Sequence, residues 1–229
     1  MNQRIGIVAC SVEGAALCYR TIASEGARVM GEHQHPEVSL HTFTLGDYMD
    51  PIRAGDWNKV ARMMYQSGEK LASIGADFLI CPDNTIHQAF IDGGLAGPCP
   101  WLPITDAVFD EAASRGYERL AVLGTKYLME GPVYSLAAER RGLEVEVPEL
   151  DDRNEINRII FSELVNGVFP ESSRRYFNRV IAGMKARGCQ AVVLGCTEIP
   201  LLVDPDDCPL PTLDSTRLLA AAAVRRCLA

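Results

Sequence analysis

The stretch Gly75-Ala76-Asp77-Phe78-Leu79-Ile80-Cys81-Pro82-Asp83-Asn84-Thr85 recurs in outline as Gly188-Cys189-Gln190-Ala191-Val192-Val193-Leu194-Gly195-Cys196-Thr197-Glu198. Each copy opens on a glycine of the kind that stops a helix, runs on through unbroken apolar residues and ends on a polar tip. The offset from Gly75 to Gly188 is 113 residues. A second pair, Arg4-Ile5-Gly6-Ile7-Val8-Ala9-Cys10-Ser11 against Arg119-Leu120-Ala121-Val122-Leu123-Gly124-Thr125-Lys126, is offset by 115, and Pro103-Ile104-Thr105-Asp106 against Pro211-Thr212-Leu213-Asp214 by 108. Similar offsets with a small drift predict two like halves, each of roughly 100–115 residues, an ordinary small-domain size. The first lobe is expected to hold residues 1–100 with 214–229, and the second residues 101–213.

Outward from these stretches, short apolar runs alternate with helical patterns. Residues 4–10, 38–43, 76–81, 119–124, 143–147 and 191–195 are mostly continuous Val, Ile, Leu and Phe, as expected of parallel strands covered on both faces. Residues 56–74 put Val60, Met63, Met64, Leu71 and Ile74 on one stripe, with Asp56 as N-cap and Gly75 past the end. Residues 131–141, 152–166, 171–187 and 215–228 read as further helices. The fold class is therefore α/β: two similar parallel-sheet lobes related by a pseudo-two-fold, with a cleft between them and the C-terminal helix packed back on the first lobe.

Of 229 residues, 48% are apolar and 23% charged, which excludes a disordered or collagen-like chain. The net charge of −8, from 22 Lys and Arg against 30 Asp and Glu, repels phosphate backbones, so nucleic acid is not an expected partner. No apolar run approaches the ~20 residues of a membrane span. The opening Met1-Asn2-Gln3-Arg4 is too short for a signal peptide, and a cytoplasmic location is expected. Eight cysteines then read as thiols, and with no CxxC pair and four histidines at no zinc-ligand spacing, no structural metal is expected.

In open α/β sheets ligands bind beyond the carboxyl ends of the strands. Four polar tips qualify: Cys10-Ser11, Asp83-Asn84-Thr85, Thr125-Lys126 and Cys196-Thr197-Glu198. The repeat sets Asp83 opposite Cys196, a carboxylate and a thiol able to remove a proton from one face of a carbon and deliver one to the other.

Asp83-Asn84-Thr85-Ile86-His87 and Gly195-Cys196-Thr197-Glu198-Ile199-Pro200 resemble the two active-site signatures of the aspartate/glutamate racemase superfamily, Cys-Asn-Thr and Gly-Cys-Thr. The resemblance covers essentially the whole chain, including Ile5-Gly6-Ile7 and Gly124-Thr125, and Glu198 is similar to the aspartate-racemase branch, where glutamate racemases carry His. It implies a cofactor-independent racemase or epimerase acting at the α-carbon of an aspartate- or glutamate-like amino acid or a related small carboxylic acid, and a homodimer. One departure matters: two-thiol members have Cys where this chain has Asp83. Cys81 does not replace it, since the repeat pairs Cys81 with Leu194 inside a strand. Asp starts near ~3.9 and Cys near ~8.5, so desolvation raising Asp83 and amide groups lowering Cys196 would bring the two together. The rivals are a single-thiol decarboxylase or cis–trans isomerase of the same superfamily, and a catalytically silent small-molecule-binding protein. A carboxylate at Asp83 argues against the decarboxylase, whose reaction needs an apolar face there.

Asn84, Thr85 and Thr197 are expected to cradle a substrate carboxylate or to cap the following helices. Ser11 and Thr125 are substrate contacts or turn residues. Arg53 and Lys126 are cations for a distal carboxylate or solvated surface groups, and Glu198 joins the substrate-binding set. His87, one turn after Asp83, tunes the site or is a satisfied buried histidine. No Gly-rich phosphate loop is present, and Lys126 lacks the surroundings of a pyridoxal-phosphate lysine, so no cofactor is expected.

Overall fold

The fully apolar stretches become strands because each is covered on both faces. The computed structural model describes residues 3–228. The chain divides into two units, one running to Ala107 and resuming at Thr216, the other Val108–Ser215. In the first, β1 (Ile5–Ala9), β2 (Val38–Thr42), β3 (Phe78–Ile80) and β4 (Trp101–Leu102) form a parallel sheet in the order β2-β1-β3-β4. In the second, β5 (Arg119–Leu123), β6 (Glu144–Glu146), β7 (Ala191–Leu194) and β8 (Thr212–Asp214) repeat that order as β6-β5-β7-β8, again parallel. β1, β3 and β7 are buried at every position, and β5 at all but Arg119.

The ladders carry the internal repeat. Ile5 pairs with Phe78 and Leu120 with Ala191, which reproduces the offsets of 115 and 113. The flanking main-chain bonds repeat as well: Asp77 N–H donates to the Arg4 carbonyl at 2.9 Å, and Gln190 N–H to the Arg119 carbonyl at 2.8 Å. The third offset needs correction. Leu79 pairs with Trp101 and Val192 with Thr212, which sets Trp101 against Thr212 and makes the offset 111 rather than 108. The true counterpart of Pro211 is Pro100: their carbonyls accept from Val192 and Leu79 at 2.9 and 2.8 Å. Trp101 and Leu102 thus pair within the first sheet, although the sequence reading opens the second lobe at residue 101.

The C-terminal helix Ser215–Leu228 packs on the first sheet as expected, with Leu219, Ala220, Ala223, Val224 and Cys227 joining Ile5, Ile7, Phe78 and Ile80 in one core. The helix Trp57–Ser73 is capped by Asp56, whose Oδ1 accepts from Lys59 N–H at 2.9 Å, and buries Val60, Met63, Met64 and Leu71. Ile74 lies past its end and is 62% exposed, so it leaves the predicted stripe. The sequence reading names no helix between β2 and Asp56, yet Leu45–Ala54 forms one, started by a reciprocal cap: Thr44 Oγ1 accepts from Asp47 N–H at 3.2 Å, and Asp47 Oδ2 from Thr44 N–H at 3.1 Å. The helix Val12–Met30 begins directly at the tip of β1.

Two glycines let the tips of β5 and β7 approach each other. Gly195 N–H donates to the Leu123 carbonyl at 2.7 Å. A Cβ on Gly195 would lie 2.9 Å from that carbonyl oxygen and 2.5 Å from Leu128 Cδ2, and one on Gly124 would lie 3.1 Å from the Gly195 oxygen. Without a clash, Gly→Ala stiffens the unfolded chain and stabilises by ~0.4–1 kcal/mol. A main-chain oxygen cannot step aside, so the steric cost wins, and Gly195→Ala is expected to destabilise by ~1–3 kcal/mol in urea unfolding. An unchanged or raised midpoint would show that the tip has room.

Candidate active site

With the strands filled by apolar side chains, polar chemistry is confined to their carboxyl ends. In the first unit the β3 tip supplies Asp83, half-buried, and the β1 tip supplies Cys10 and Ser11. The Asp83 carboxylate accepts from Cys10 N–H at 3.2 Å and from Ser11 N–H at 3.2 and 3.3 Å. Ser11 also caps the helix Val12–Met30, its hydroxyl accepting from Gly14 N–H at 3.1 Å. The carboxylate therefore sits where main-chain donors at a helix start favour negative charge. The sequence reading expects such amides at the thiol; the structure places them at Asp83.

His87 holds this tip from behind. It is 4% exposed, its Nε2 accepts from Ile104 N–H at 3.2 Å, and its Nδ1 therefore carries the hydrogen and donates to the Asp83 carbonyl at 2.9 Å. Of the two readings for His87, the satisfied buried histidine is the one observed. Asn84 is buried and starts the 3₁₀ turn Thr85–His87 without a capping bond from its side chain, and Thr85 is half-buried. Cys81 is fully buried, burial pushes its thiol up, and the thiol points at the Asp83 carbonyl 3.8 Å away, a core residue as expected. Arg53 is exposed in the last turn of the helix Leu45–Ala54, with no hydrogen bond or ion pair to the Asp83 tip among the described residues.

One neighbour escaped the sequence reading. Tyr48, on the helix Leu45–Ala54, is fully buried, and its hydroxyl has no hydrogen-bond partner among the described residues. Burial first, then the nearby Cys81, Cys10 and Asp83, pushes its phenol up, so the phenol stays neutral beside this tip. The Thr44-x-x-Asp47 box was the available signal, because it starts the helix that carries Tyr48 inward.

In the second unit the β7 tip carries Cys196, half-buried, then Thr197 and Glu198, each 4% exposed. The chain turns tightly, with Ile199 N–H donating to the Cys196 carbonyl at 3.1 Å. The turn folds the Glu198 carboxylate back on its own tip. Glu198 Oε2 accepts from Cys196 Sγ at 2.9 Å and from Thr197 Oγ1 at 2.9 Å. Thr197 and Glu198, read as substrate contacts, thus make one network with the thiol. Thr125 caps the helix Lys126–Glu130, its hydroxyl accepting from Leu128 N–H at 3.3 Å. The Lys126 N–H donates to Asn157 Oδ1 at 3.0 Å, and its ammonium stands 5.3 Å over the Tyr127 ring. Among the described residues, no group of His, Cys, Asp and Glu is arranged to hold a metal ion, and no helix is long and apolar enough to cross a membrane.

The duplicated parallel-sheet architecture is shared with known proteins. The profile of a family described as Asp/Glu/hydantoin racemase matches residues 7–223. The chain belongs to that family. The broad specificity amino-acid racemase RacX of Bacillus subtilis is 20% identical over 195 residues, 85% of this chain and 83% of that protein. A Yersinia pestis crystal structure, provisionally described as an Asp/Glu racemase, superposes with a TM-score of 0.91 at 31% identity, covering 99% of this chain and all of that one. A Pyrococcus horikoshii aspartate racemase homologue gives 0.86 at 26% identity, with both chains covered completely. The two-sheet α/β architecture is that of the racemase family.

The state of His87 has a consequence for stability. Desolvation lowers it from 6.5 to about 4, so the folded protein keeps it neutral where the unfolded chain takes up a proton. Its contribution is intact above pH 6.5, falls as the pH drops below that value, and levels off near pH 4, for a total loss of about 3 kcal/mol. In urea unfolding at pH 7, 5.5 and 4.5, His87→Gln is expected to be less stable at pH 7 and to lose less on acidification than the parent protein. Parallel pH curves would remove His87 as the cause.

Proposed function

We propose that the protein is a cofactor-independent amino-acid racemase or epimerase, in which Asp83 and Cys196 exchange the α-proton of a small amino-acid or carboxylic-acid substrate at opposite faces of one carbon. What supports the reading most is the pairing of family with register: strands β3 and β7 are equivalents in two like sheets, and their tips carry a carboxylate and a thiol. Each carboxylate oxygen has two lone pairs, so accepting main-chain amides leaves Asp83 able to take a proton. The amides keep it anionic and oriented, as a base must be. The short polar side chains of Asn84, Thr85 and Thr197, with Ser11 and Thr125, suit a substrate carboxylate. Arg53 and Lys126 are the cations available for a side-chain carboxylate of an aspartate- or glutamate-like substrate. The chemistry calls on the chain's own groups and on no cofactor, and we assign it to a cytoplasmic protein working as a homodimer.

A panel of D- and L-amino acids incubated in deuterium oxide tests this. A substrate should acquire deuterium at Cα and lose optical rotation. Cys196→Ser is expected to reduce racemisation by ~10²–10⁴ while binding is nearly kept, because an alcohol is a far weaker base than a thiolate. Asp83→Asn retains one oxygen for the amides and should stop inversion while exchange at the Cys196 face survives.

The amide contacts of Asp83 favour one second reading, in which Asp83 only ties two tips together and Cys196 acts alone as the proton donor of a decarboxylase or isomerase. In that case Asp83→Asn keeps turnover, and a dicarboxylic substrate releases CO₂ without racemisation.

A further inference from the structure

We infer that Glu198 is a positioning residue that keeps Cys196 protonated at rest, so that the two halves are unequally loaded, with base at Asp83 and acid at Cys196. The inference rests on the proposed role of Cys196 and adds a regulator of its proton.

The geometry is local to the second unit. Glu198 is 4% exposed, and a carboxylate so buried must be hydrogen-bonded. Its donors are the Cys196 thiol and the Thr197 hydroxyl, both at 2.9 Å on Oε2, and it has no Lys or Arg partner among the described residues. An S–H hydrogen is thus part of what satisfies the carboxylate. Removing that hydrogen leaves two negative charges within 3 Å of each other, the arrangement in which paired acids do not both ionise. Charged groups near this end of the second sheet include Asp214, closing β8, Glu146, closing β6 and ion-paired with Arg119 and Arg187, Arg174, whose Nε donates to the Leu202 carbonyl, and Lys126, whose ammonium is directed at the Tyr127 ring. Asp83 stands in the opposite condition, its anion matched by two main-chain amides.

The resting protein then holds one transferable proton, on sulfur. In turnover Asp83 takes the Cα proton, the carbanion takes the S–H proton at its other face, and Cys196 is left as a thiolate against Glu198. That repulsion drives the return of a proton to sulfur while Asp83 gives up the one it took, either by exchange of both with solvent or through the next substrate, which yields its proton to sulfur and accepts the one on Asp83. Enantiomers have equal free energies, so kcat/KM is the same in both directions whichever group starts protonated. The resting state must therefore be read on the thiol itself.

The experiment is iodoacetamide alkylation of the intact protein across pH 6–9, with modification at Cys196 quantified by peptide mass spectrometry. Glu198→Gln keeps a hydrogen-bond acceptor and removes the charge. The expectation is about a tenfold faster alkylation of Cys196 at pH 7 in Glu198→Gln, with the onset moved to lower pH, which corresponds to ~1.4 kcal/mol of like-charge repulsion removed. An unchanged or slower rate overturns the inference. If Glu198→Gln does not fold, the parent protein decides. Its thiolate absorbance near 240 nm, taken as the difference from Cys196→Ser, should be absent at pH 7 and develop only in alkali, and a thiolate band at pH 7 refutes the assignment. Neither readout requires turnover. Loss of the Glu198 effect with Cys196→Ser inactive would sink this inference alone, whereas full activity of Cys196→Ser would sink the proposed function and leave the thiol chemistry standing.

Discussion

Burial of β1, β3, β5 and β7 on both faces is the constraint from which the rest follows. Each fully buried Val, Leu or Ile contributes ~1.5–3 kcal/mol, whereas a typical hydrogen bond nets about 1 kcal/mol, so a polar side chain inside these strands would cost more than it returned. Ile5, Ile7, Phe78, Ile80, Leu123, Val192 and Leu194 accordingly fill the strands. Polar residues begin where the strands stop, at Ser11, Asp83, Thr125 and Cys196. Parallel pairing then gathers the ends of neighbouring strands at the same edge of each sheet, which is how Asp83 reaches the amides of Cys10 and Ser11, residues more than seventy positions away in sequence.

That constraint also explains what was legible. Apolar runs identified six of the eight strands described; four of them, β1, β3, β5 and β7, are buried on both faces and so have no polar alternation to disguise them, while β2 and β6 are partly exposed. β4 and β8 are two and three residues long, only partly buried, and carry no run to detect. The repeat was readable wherever buried strands anchored it, at offsets of 115 and 113, and slipped by three residues where it was aligned on prolines. Pro103 follows its strand and Pro211 precedes its own, so they mark opposite ends of equivalent elements. The helix Leu45–Ala54 was hidden by Gly46 and Pro51, residues of poor helical propensity, and tertiary burial of Tyr48 and Ile52 outweighs that penalty.

At the tips, residue types were legible and partners were not. The internal repeat set Asp83 opposite Cys196, and the resemblance of the two segments to the racemase signatures marked them as the catalytic candidates. Which hydrogen bond each would make depends on how β1 lies against β3 and on how the turn after β7 folds. The hydrogen bonds add partners that the reading did not include: amides meet Asp83, and a carboxylate meets Cys196. Two residues from Cys196, Glu198 belongs to the same tight turn and is spent on the thiol.

The amide pair also bears on which residues position 83 can hold. Main-chain N–H groups at the start of a helix do not distinguish a carboxylate from a thiolate; they favour a negative charge wherever it is held. A cysteine at position 83 would be drawn toward its thiolate by the donors that now hold the Asp83 carboxylate. The same backbone therefore suits either residue as an anion without any change to the buried strands. Cys196 has no such freedom, because its immediate neighbour is the carboxylate of Glu198 and a second acid in its place would set two carboxylates in contact. Two otherwise equivalent strand ends thus provide unlike surroundings, main-chain amides at position 83 and a carboxylate at position 196.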